Sequence, residues 1–358
     1  MSSVKIHPEF RLNGKKFSSS GTVLSYVKKY FSSHYLFLQD LFNTNEYIKV
    51  YTSGSTGLPK EIQIKKLFML NSARQTIDFF GLDPGTRALL NLSPDYIAGK
   101  MMWVRALTGG WQLDVISPEN KIINKQLLNN TYDFGAMVPV QANYNRQLLH
   151  KINQLIIGGG AVSPSLFDFI SSASNKIFAT YGMTETVTHI AVKPLSNGAY
   201  EQFYNQDLQK DSYRVFDSIT ISKDDRGCLV IEAPHLSNER VVTNDLVQIL
   251  DKRHFKWLGR YDNIINSGGI KFIPEQIEEK IKDLLPNAFF IAGLPDENLG
   301  QQIVMLVEGR VDKFLLQKAF DKVLNKFERP KKIIEIDRFL RAGNGKIRRR
   351  QILNGLRE

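Results

Sequence analysis

From Tyr47 to about Thr180, short apolar runs bounded by turn residues alternate with longer stretches whose apolar positions recur at helical spacing. That rhythm predicts a mostly parallel sheet covered by helices. The expected strands are Ile48–Thr52, Ala88–Leu92, Leu113–Ile116, Ala136–Val138, Leu155–Ile157 and Ile177–Ala179. Between them, Lys66–Phe80 reads as an amphipathic helix stopped by Gly81, and Ser163-Pro164 as an N-cap followed by proline at the first helical position.

From Tyr213 to Trp257 the pattern changes to short β runs separated by Asp, Gly and Asn clusters, as in an antiparallel, barrel-like element without a helix. After Gly259-Arg260 the chain restarts with a Gly-Gly turn and a charged helix over Pro274–Leu285. Strands over Ala288–Leu294 and Ile303–Val307, a helix over Lys313–Phe327 and a strand over Lys332–Ile336 follow. The expected fold is therefore α/β: a large N-terminal domain (1–260) with mostly parallel, helix-covered sheets and a small β element, joined by a hinge to a small α+β domain (261–358). No internal repeat or low-complexity tract interrupts it.

Composition changes this picture little, since 358 residues with 42% hydrophobic and 23% charged suit one large core and a smaller one. Met1 to Phe17 is charged where a secretory signal needs an apolar core, and no later run is long enough to span a bilayer, so a soluble protein is expected. The single cysteine, Cys228, excludes an internal disulfide framework, and the six histidines lack metal-site spacing. Both fit a reducing cytoplasm. Charge adds more: a net +11 calls for an anionic partner, whether nucleic acid, acidic lipid or a phosphorylated small molecule. The basic tail from Lys322 to Arg350 reads by itself as a solvated face, and no nucleic-acid motif accompanies it.

The most specific segment is Thr52-Ser53-Gly54-Ser55-Thr56-Gly57-Leu58-Pro59-Lys60, directly after a strand. Small residues let backbone N–H groups close around phosphate oxygens, hydroxyls add donors, and Lys60 adds charge. The spacing of a Walker A loop is absent, which disfavours a P-loop kinase. A second constellation, Tyr181-Gly182-Met183-Thr184-Glu185, follows a strand and the Gly158-Gly159-Gly160 turn. It offers a ring to stack on a purine, a hydroxyl for a phosphate and a carboxylate for hydrated Mg²⁺. Further on, Asp245 can accept from ribose hydroxyls and Arg260 can pair with ribose or phosphate oxygens. Taken singly, each of these also reads as an ordinary capped loop or turn.

In this order the segments resemble the adenylate-forming superfamily of acyl-CoA synthetases, luciferases and peptide-synthetase adenylation domains, from about Tyr47 to the C-terminus. The matching stretches are TSGSTGLPK, YGMTE, the TND around Asp245, the run from Gly259 to Glu275, and Gly343-Asn344-Gly345-Lys346. The resemblance implies an enzyme that uses ATP, Mg²⁺ and coenzyme A to make an acyl-adenylate and then a thioester. Lys346 would bridge the attacking carboxylate and the α-phosphate, with Thr184 and Glu185 assisting. Asp262 would be the hinge that exchanges Lys346 for the Ser267-Gly268-Gly269 turn, whose glycines leave a channel for pantetheine. Some of Lys331, Lys332, Arg348 and Arg349 would hold the nucleotide end of CoA.

Within the superfamily, the stretch from Ser93 to Leu107, followed by Val138-Pro139-Val140-Gln141, resembles o-succinylbenzoate:CoA ligases of menaquinone biosynthesis. Their acid is an aromatic dicarboxylate, one carboxylate of which stays anionic. Lys100 and Arg105 are candidates to face it, with Tyr96, Gly99, Thr186, Thr188 and His189 as pocket lining. Arg105 reads equally well as a helix residue paired with a neighbouring carboxylate. An aryl- or short-chain acyl-CoA ligase with another acid is the alternative, and a basic nucleic-acid-binding protein a distant one. Three departures stand out. Fewer residues precede the phosphate loop than the family usually carries, which implies a reduced N-terminal subdomain; Tyr96 stands where many relatives have histidine; and Leu340 and Ala342 replace a frequent proline and threonine. The sequence does not set the oligomeric state, and a homo-oligomer stays open.

Overall fold

The computed structural model describes residues 4–52, 60–122, 129–203, 211–342 and 345–356. It divides into two compact units, Met1–Thr220 with Glu232–Val241, and Ile221–Ile231 with Val242–Glu358. The hairpin strands Val241–Ile249 and His254–Arg260 thus group with the C-terminal part, whereas the sequence pattern drew its boundary at 260/261.

In the first unit, neighbouring strands follow the order Tyr213–Val215, His189–Pro194, Lys176–Gly182, Ile152–Ile157, Tyr132–Met137, Arg87–Leu90, Gln112–Val115, Arg11–Leu12, Lys15–Lys16. From Lys176–Gly182 to Arg11–Leu12 every neighbour is parallel. Both faces are covered, so consecutive residues such as Leu155, Ile156 and Ile157 are all buried. On one face, helices Pro139–Tyr144, Arg146–Leu149 and Pro164–Ser171 contribute Ala142, Leu148, Leu149, Leu166 and Ile170 to a core with Leu89, Leu155 and Ile177. The Lys66–Phe80 helix sets Phe80 against Phe134 and Phe178, with ring centroids 5.6 and 5.4 Å away. It stops at Gly81, whose φ of +60° supplies the left-handed residue that its C-terminus needs.

Several expectations change. Ile48–Thr52 does not join the parallel sheet: among the described residues Tyr47–Thr52 pairs with Lys60–Lys65, in a separate antiparallel hairpin. An apolar run carries no information about its partner, which is why the pattern misplaced it. The segment before Tyr47 forms two helices, Ser20–Tyr30 and Ser32–Phe42, that bury Val23, Val27, Phe37, Leu38 and Leu41. Ile97–Gly109 is also a helix, and it is buried continuously from Met101 to Leu107.

In the second unit, the strands Thr220–Lys223, Cys228–Glu232, Val241–Ile249 and His254–Arg260 pair in that order. A five-stranded sheet follows, ordered Ile270–Phe272, Ile265–Ser267, Gly300–Glu308, Phe289–Asp296, with Lys332–Ile336 parallel to Gly300–Glu308. Alternation along its strands sorts two cores. Ile291, Ile303, Met305 and Val307 meet Ile277 and Ile281 of Pro274–Ile281 and Leu316 and Phe320 of Lys313–Val323. Phe290, Ala292, Val304 and Leu306 meet Phe339 and Ile352. The two helices end earlier than expected: the first passes at Lys282 into a 3-10 turn, and the second stops at Val323.

Candidate active site

Ser53, Gly54, Ser55, Thr56 and Gly57 lie outside the described residues, as do the side chains of Thr52 and Lys60. The ends of that loop are fixed by the register Thr52↔Lys60 across the hairpin. At the carboxyl end of the parallel strand Ile152–Ile157, Gly158 donates its N–H to Met137 O at 3.1 Å. A Cβ on Gly158 would overlap Thr180 Oγ1, and Gly159 has φ +83°. The Gly158-Gly159-Gly160 turn therefore lets neighbouring strand ends approach closely, at the edge where parallel sheets place their ligands.

One strand over, Tyr181 and Gly182 end Lys176–Gly182, and Tyr181 packs on Tyr213 with centroids 5.7 Å apart. The chain then makes a 3-10 turn, Thr184–Thr186, and returns through Val187 at φ +65° into His189–Pro194. A bulky β-branched residue rarely adopts that φ, so this turn stores backbone strain. The buried hydroxyl of Thr186 accepts from Met183 N at 3.1 Å and donates to Thr188 O at 2.8 Å, which ties it to the turn itself. Glu185 is exposed in the first turn, and no cation pairs with it among the described residues. An unpaired carboxylate there suits hydrated Mg²⁺, which keeps most of its waters and takes one or two protein carboxylates. Among the described residues, no group of three or more His, Cys, Asp or Glu could hold a metal on its own.

Lys100 and Arg105 share the Ile97–Gly109 helix, but five positions put them about 140° apart around it. Lys100 turns back on its own loop: its ammonium donates to Pro94 O and sits 5.1 Å from the Phe37 ring, and burial lowers its pKa. Tyr96 is the N-cap residue, 37% exposed. A Cβ on Gly99 would lie 2.7 Å from the Ser93 carbonyl carbon, so glycine there lets the helix start against the preceding loop.

Arg105 is 1% exposed, and burial brings its pKa down to about 9, which still leaves it a cation at neutral pH. Its Nη2 donates to Thr188 Oγ1 at 3.5 Å and to His189 Nδ1 at 3.4 Å. Its Nε is buried without a partner. Among the described residues it pairs with no carboxylate, so the helix ion pair that the sequence left open does not form. The neighbours three and four positions away, Met101, Met102, Thr108 and Gly109, could have shown this. His189 is buried as well, and burial first, then Arg105, hold its pKa well below the ordinary value. Its Nε2 lies 3.4 Å from Thr76 Oγ1, whose hydroxyl bonds Ser72 O at 3.0 Å. Thr76 left no signal in the sequence, because only packing of the Lys66–Phe80 helix brings it here. Asn91, just past strand Arg87–Leu90, was also missed: it is fully buried, and among the described residues neither amide atom of its side chain has a partner.

In the second unit, Asp245 is buried, and its Oδ1 accepts from Trp257 Nε1 at 3.1 Å and Arg260 Nη1 at 3.2 Å. Asp262 lies in the exposed 3-10 turn Tyr261–Asn263, where it accepts from Asn244 Nδ2 at 3.1 Å and lies 3.5 Å from Arg260 Nη2. Lys346 ends a tight turn in which Ala342 N donates to Lys346 O at 2.8 Å and Gly345 takes φ +85°. Its side chain keeps an exposed surface. Even so, crowding of the ammonium lowers its pKa, Arg260 lowers it further, and Asp245 opposes both. Four of the expected site residues, Asp245, Arg260, Asp262 and Lys346, thus interact within one unit. The Ser267-Gly268-Gly269 turn joins strands Ile265–Ser267 and Ile270–Phe272, with φ +58° and +81° at its two glycines. Arg349, one of the expected CoA contacts, is spent on Glu278, with both bonds at 2.8 Å.

Comparison with known proteins adds the family. A model described as AMP-binding enzyme matches residues 43–213. The chain is similar to an acyl-CoA synthetase (AMP-forming)/AMP-acid ligase II-like protein from Dyadobacter fermentans, at 32% identity over 95% of this chain and 99% of that one, with a TM-score of 0.59. It also matches 2-succinylbenzoate–CoA ligase of Enterococcus faecalis, at 22% identity over 86% of this chain and 69% of the relative. In fold it resembles o-succinylbenzoate CoA synthetase from Bacillus subtilis, solved with its acyl-adenylate intermediate, at 20% identity over 85% of this chain and 68% of that one, TM-score 0.71. No helix among the described residues is long and apolar enough to cross a membrane.

Proposed function

Because the chain belongs to the AMP-binding, adenylate-forming enzymes and is an acid:CoA ligase, we propose that the acid it activates is o-succinylbenzoate, in menaquinone biosynthesis. The observation that carries this reading is Arg105, a buried cation that pairs with no carboxylate among the described residues. Burying an uncompensated charge costs several kcal/mol, roughly, unless an anion arrives to offset it. An acid with a second carboxylate brings that anion. At about 4 Å and an effective dielectric of about 20, the attraction is worth about 4 kcal/mol.

In the first half-reaction the succinyl carboxylate attacks the α-phosphorus of ATP and pyrophosphate leaves. A carboxylate is a poor electrophile, and this step turns it into a mixed anhydride with a good leaving group. Lys346 meets the charge that builds on the phosphorus, with Asp245 and Arg260 taking the ribose and Tyr181 the adenine. Thr184 contacts a phosphate, and Glu185 is the residue that would hold Mg²⁺, which would supply charge neutralisation at the phosphates. In the second half-reaction the CoA thiol attacks the acyl carbonyl and AMP leaves. Asp262 is the pivot between the halves, and the Ser267-Gly268-Gly269 turn admits pantetheine. Lys331, Lys332 and Arg348 remain to meet the CoA phosphates.

Acid-dependent ATP–pyrophosphate exchange tests the substrate. Exchange with o-succinylbenzoate well above that with benzoate is expected. Exchange with benzoate and none with o-succinylbenzoate would replace the substrate but keep the ligase.

A further inference from the structure

The partners of Arg105 are as informative as its burial. A guanidinium only donates, so His189 Nδ1 must be the acceptor of the 3.4 Å contact. That fixes the tautomer: the imidazole proton sits on Nε2 and points to Thr76 Oγ1, whose own proton goes to Ser72 O. The result is a one-way chain of donors, Arg105 to His189 to Thr76 to Ser72 O, drawn from two helices and the start of a strand. Phe216 packs edge-on against His189 at 5.4 Å between centroids and closes its other side with an apolar ring.

We propose that His189 and Thr76 are positioning residues that orient Arg105 through neutral acceptors, so that its charge stays available to the second carboxylate of the acid. The choice of partner decides the outcome. An Asp or Glu at position 189 would hold the guanidinium as firmly, but would neutralise it and repel an incoming carboxylate. A neutral imidazole directs one nitrogen and leaves the net charge at one. The bonds at 3.4 and 3.5 Å are long, so little of that charge is consumed. Among the described residues Nη2 carries both contacts, and Nε is left unbonded on the same planar fork that binds carboxylates in bidentate fashion. Selectivity for a diacid would thus depend on residues that never touch it.

The inference rests on the proposed substrate, and one experiment separates the two. The readout is the ratio of kcat/KM for o-succinylbenzoate to that for 4-oxo-4-phenylbutanoate, the same acid without its ring carboxylate, in pyrophosphate exchange. His189→Leu is expected to lower the ratio about tenfold through KM for the diacid, with the monoacid losing much less. Thr76→Val should lower it about threefold. His189→Gln, whose amide can accept from Arg105 and donate to Thr76, should restore the ratio to within about threefold of the parent. If both acids fall together in His189→Leu and Thr76→Val, or if His189→Gln fares no better than His189→Leu, the residues are merely structural and the proposal is overturned. If Arg105→Met leaves the ratio unchanged, the substrate reading fails first. If Arg105→Met collapses the ratio while His189→Leu does not, that reading stands and only the relay falls.

Discussion

Gly182→Ala tests whether the turn between Tyr181 and His189 positions the residues proposed to bind the nucleotide. Gly182 does not need a positive φ; what it needs is space. A Cβ there would overlap the Thr188 carbonyl oxygen and His189 Cα and lie 2.7 Å from the Thr188 carbonyl carbon. Ordinary contact begins near 3.4 Å, and the obstructing atoms are backbone, so no side chain can swing aside. The turn must shift by about 1 Å, although it is already strained at Val187 and tied by Thr186 to Met183 and Thr188. Overpacking of this kind costs about 1–3 kcal/mol. The same shift moves Thr184, Glu185 and His189 together, and a misplacement of about 1 Å lowers rates by about a hundredfold. Urea denaturation and pyrophosphate exchange measure the two effects. Gly21→Ala is the control: its Cβ would meet only Ser19 Oγ at 3.9 Å, so stability should hold or rise slightly. Exchange by Gly182→Ala within threefold of the parent would refute the reasoning.

His34 is buried, accepts from Trp103 Nε1 at 2.9 Å, and is held neutral, mainly by burial and then by Lys100, with its pKa pushed from 6.5 to about 4. The unfolded chain takes up that proton first, so stability present above pH 6.5 is lost as pH falls towards the folded value, by about 3 kcal/mol at pH 4. His34→Gln should flatten that slope in urea titrations, and an equal slope in both proteins would contradict the assignment. Glu308 accepts from Arg341 Nη1 and Nη2, both at 2.6 Å, and from Phe339 N at 2.7 Å, at the base of the turn that presents Lys346. Its pKa is lowered, chiefly by Arg341, so its contribution is present above about pH 4.5 and is lost as pH falls through the folded value. Glu308→Gln should cost about 1–2 kcal/mol and slow exchange more than the thiol step; equal slowing of both would count against a role in placing Lys346.

Much of this was legible in the sequence where local chemistry decides structure. Lys66–Phe80 was read to the residue, because an apolar stripe meets a left-handed glycine. The strand at Tyr132–Met137 was read too short, since Asp133, which accepts from Arg87 N at 2.8 Å, broke its apolar run. The Ser20–Tyr30 helix hid behind Lys28, Lys29 and a tyrosine-rich face, and Ile97–Gly109 behind burial too complete to leave a stripe. In the candidate site, motif residues such as Asp245, Arg260 and Lys346 could be named from the sequence, and so could Arg105. Nothing along the chain showed that Thr76 would meet His189 behind it, because residues 113 positions apart meet only through tertiary packing.

The central claim is that a single ammonium group, Lys346, serves adenylation and not thioester formation. Rate measurements on the two separate half-reactions of Lys346→Ala test it most directly. Pyrophosphate exchange should fall by about a thousandfold or more, while a supplied acyl-adenylate still reacts with CoA within about threefold of the parent rate. Equal loss of both half-reactions would contradict the account.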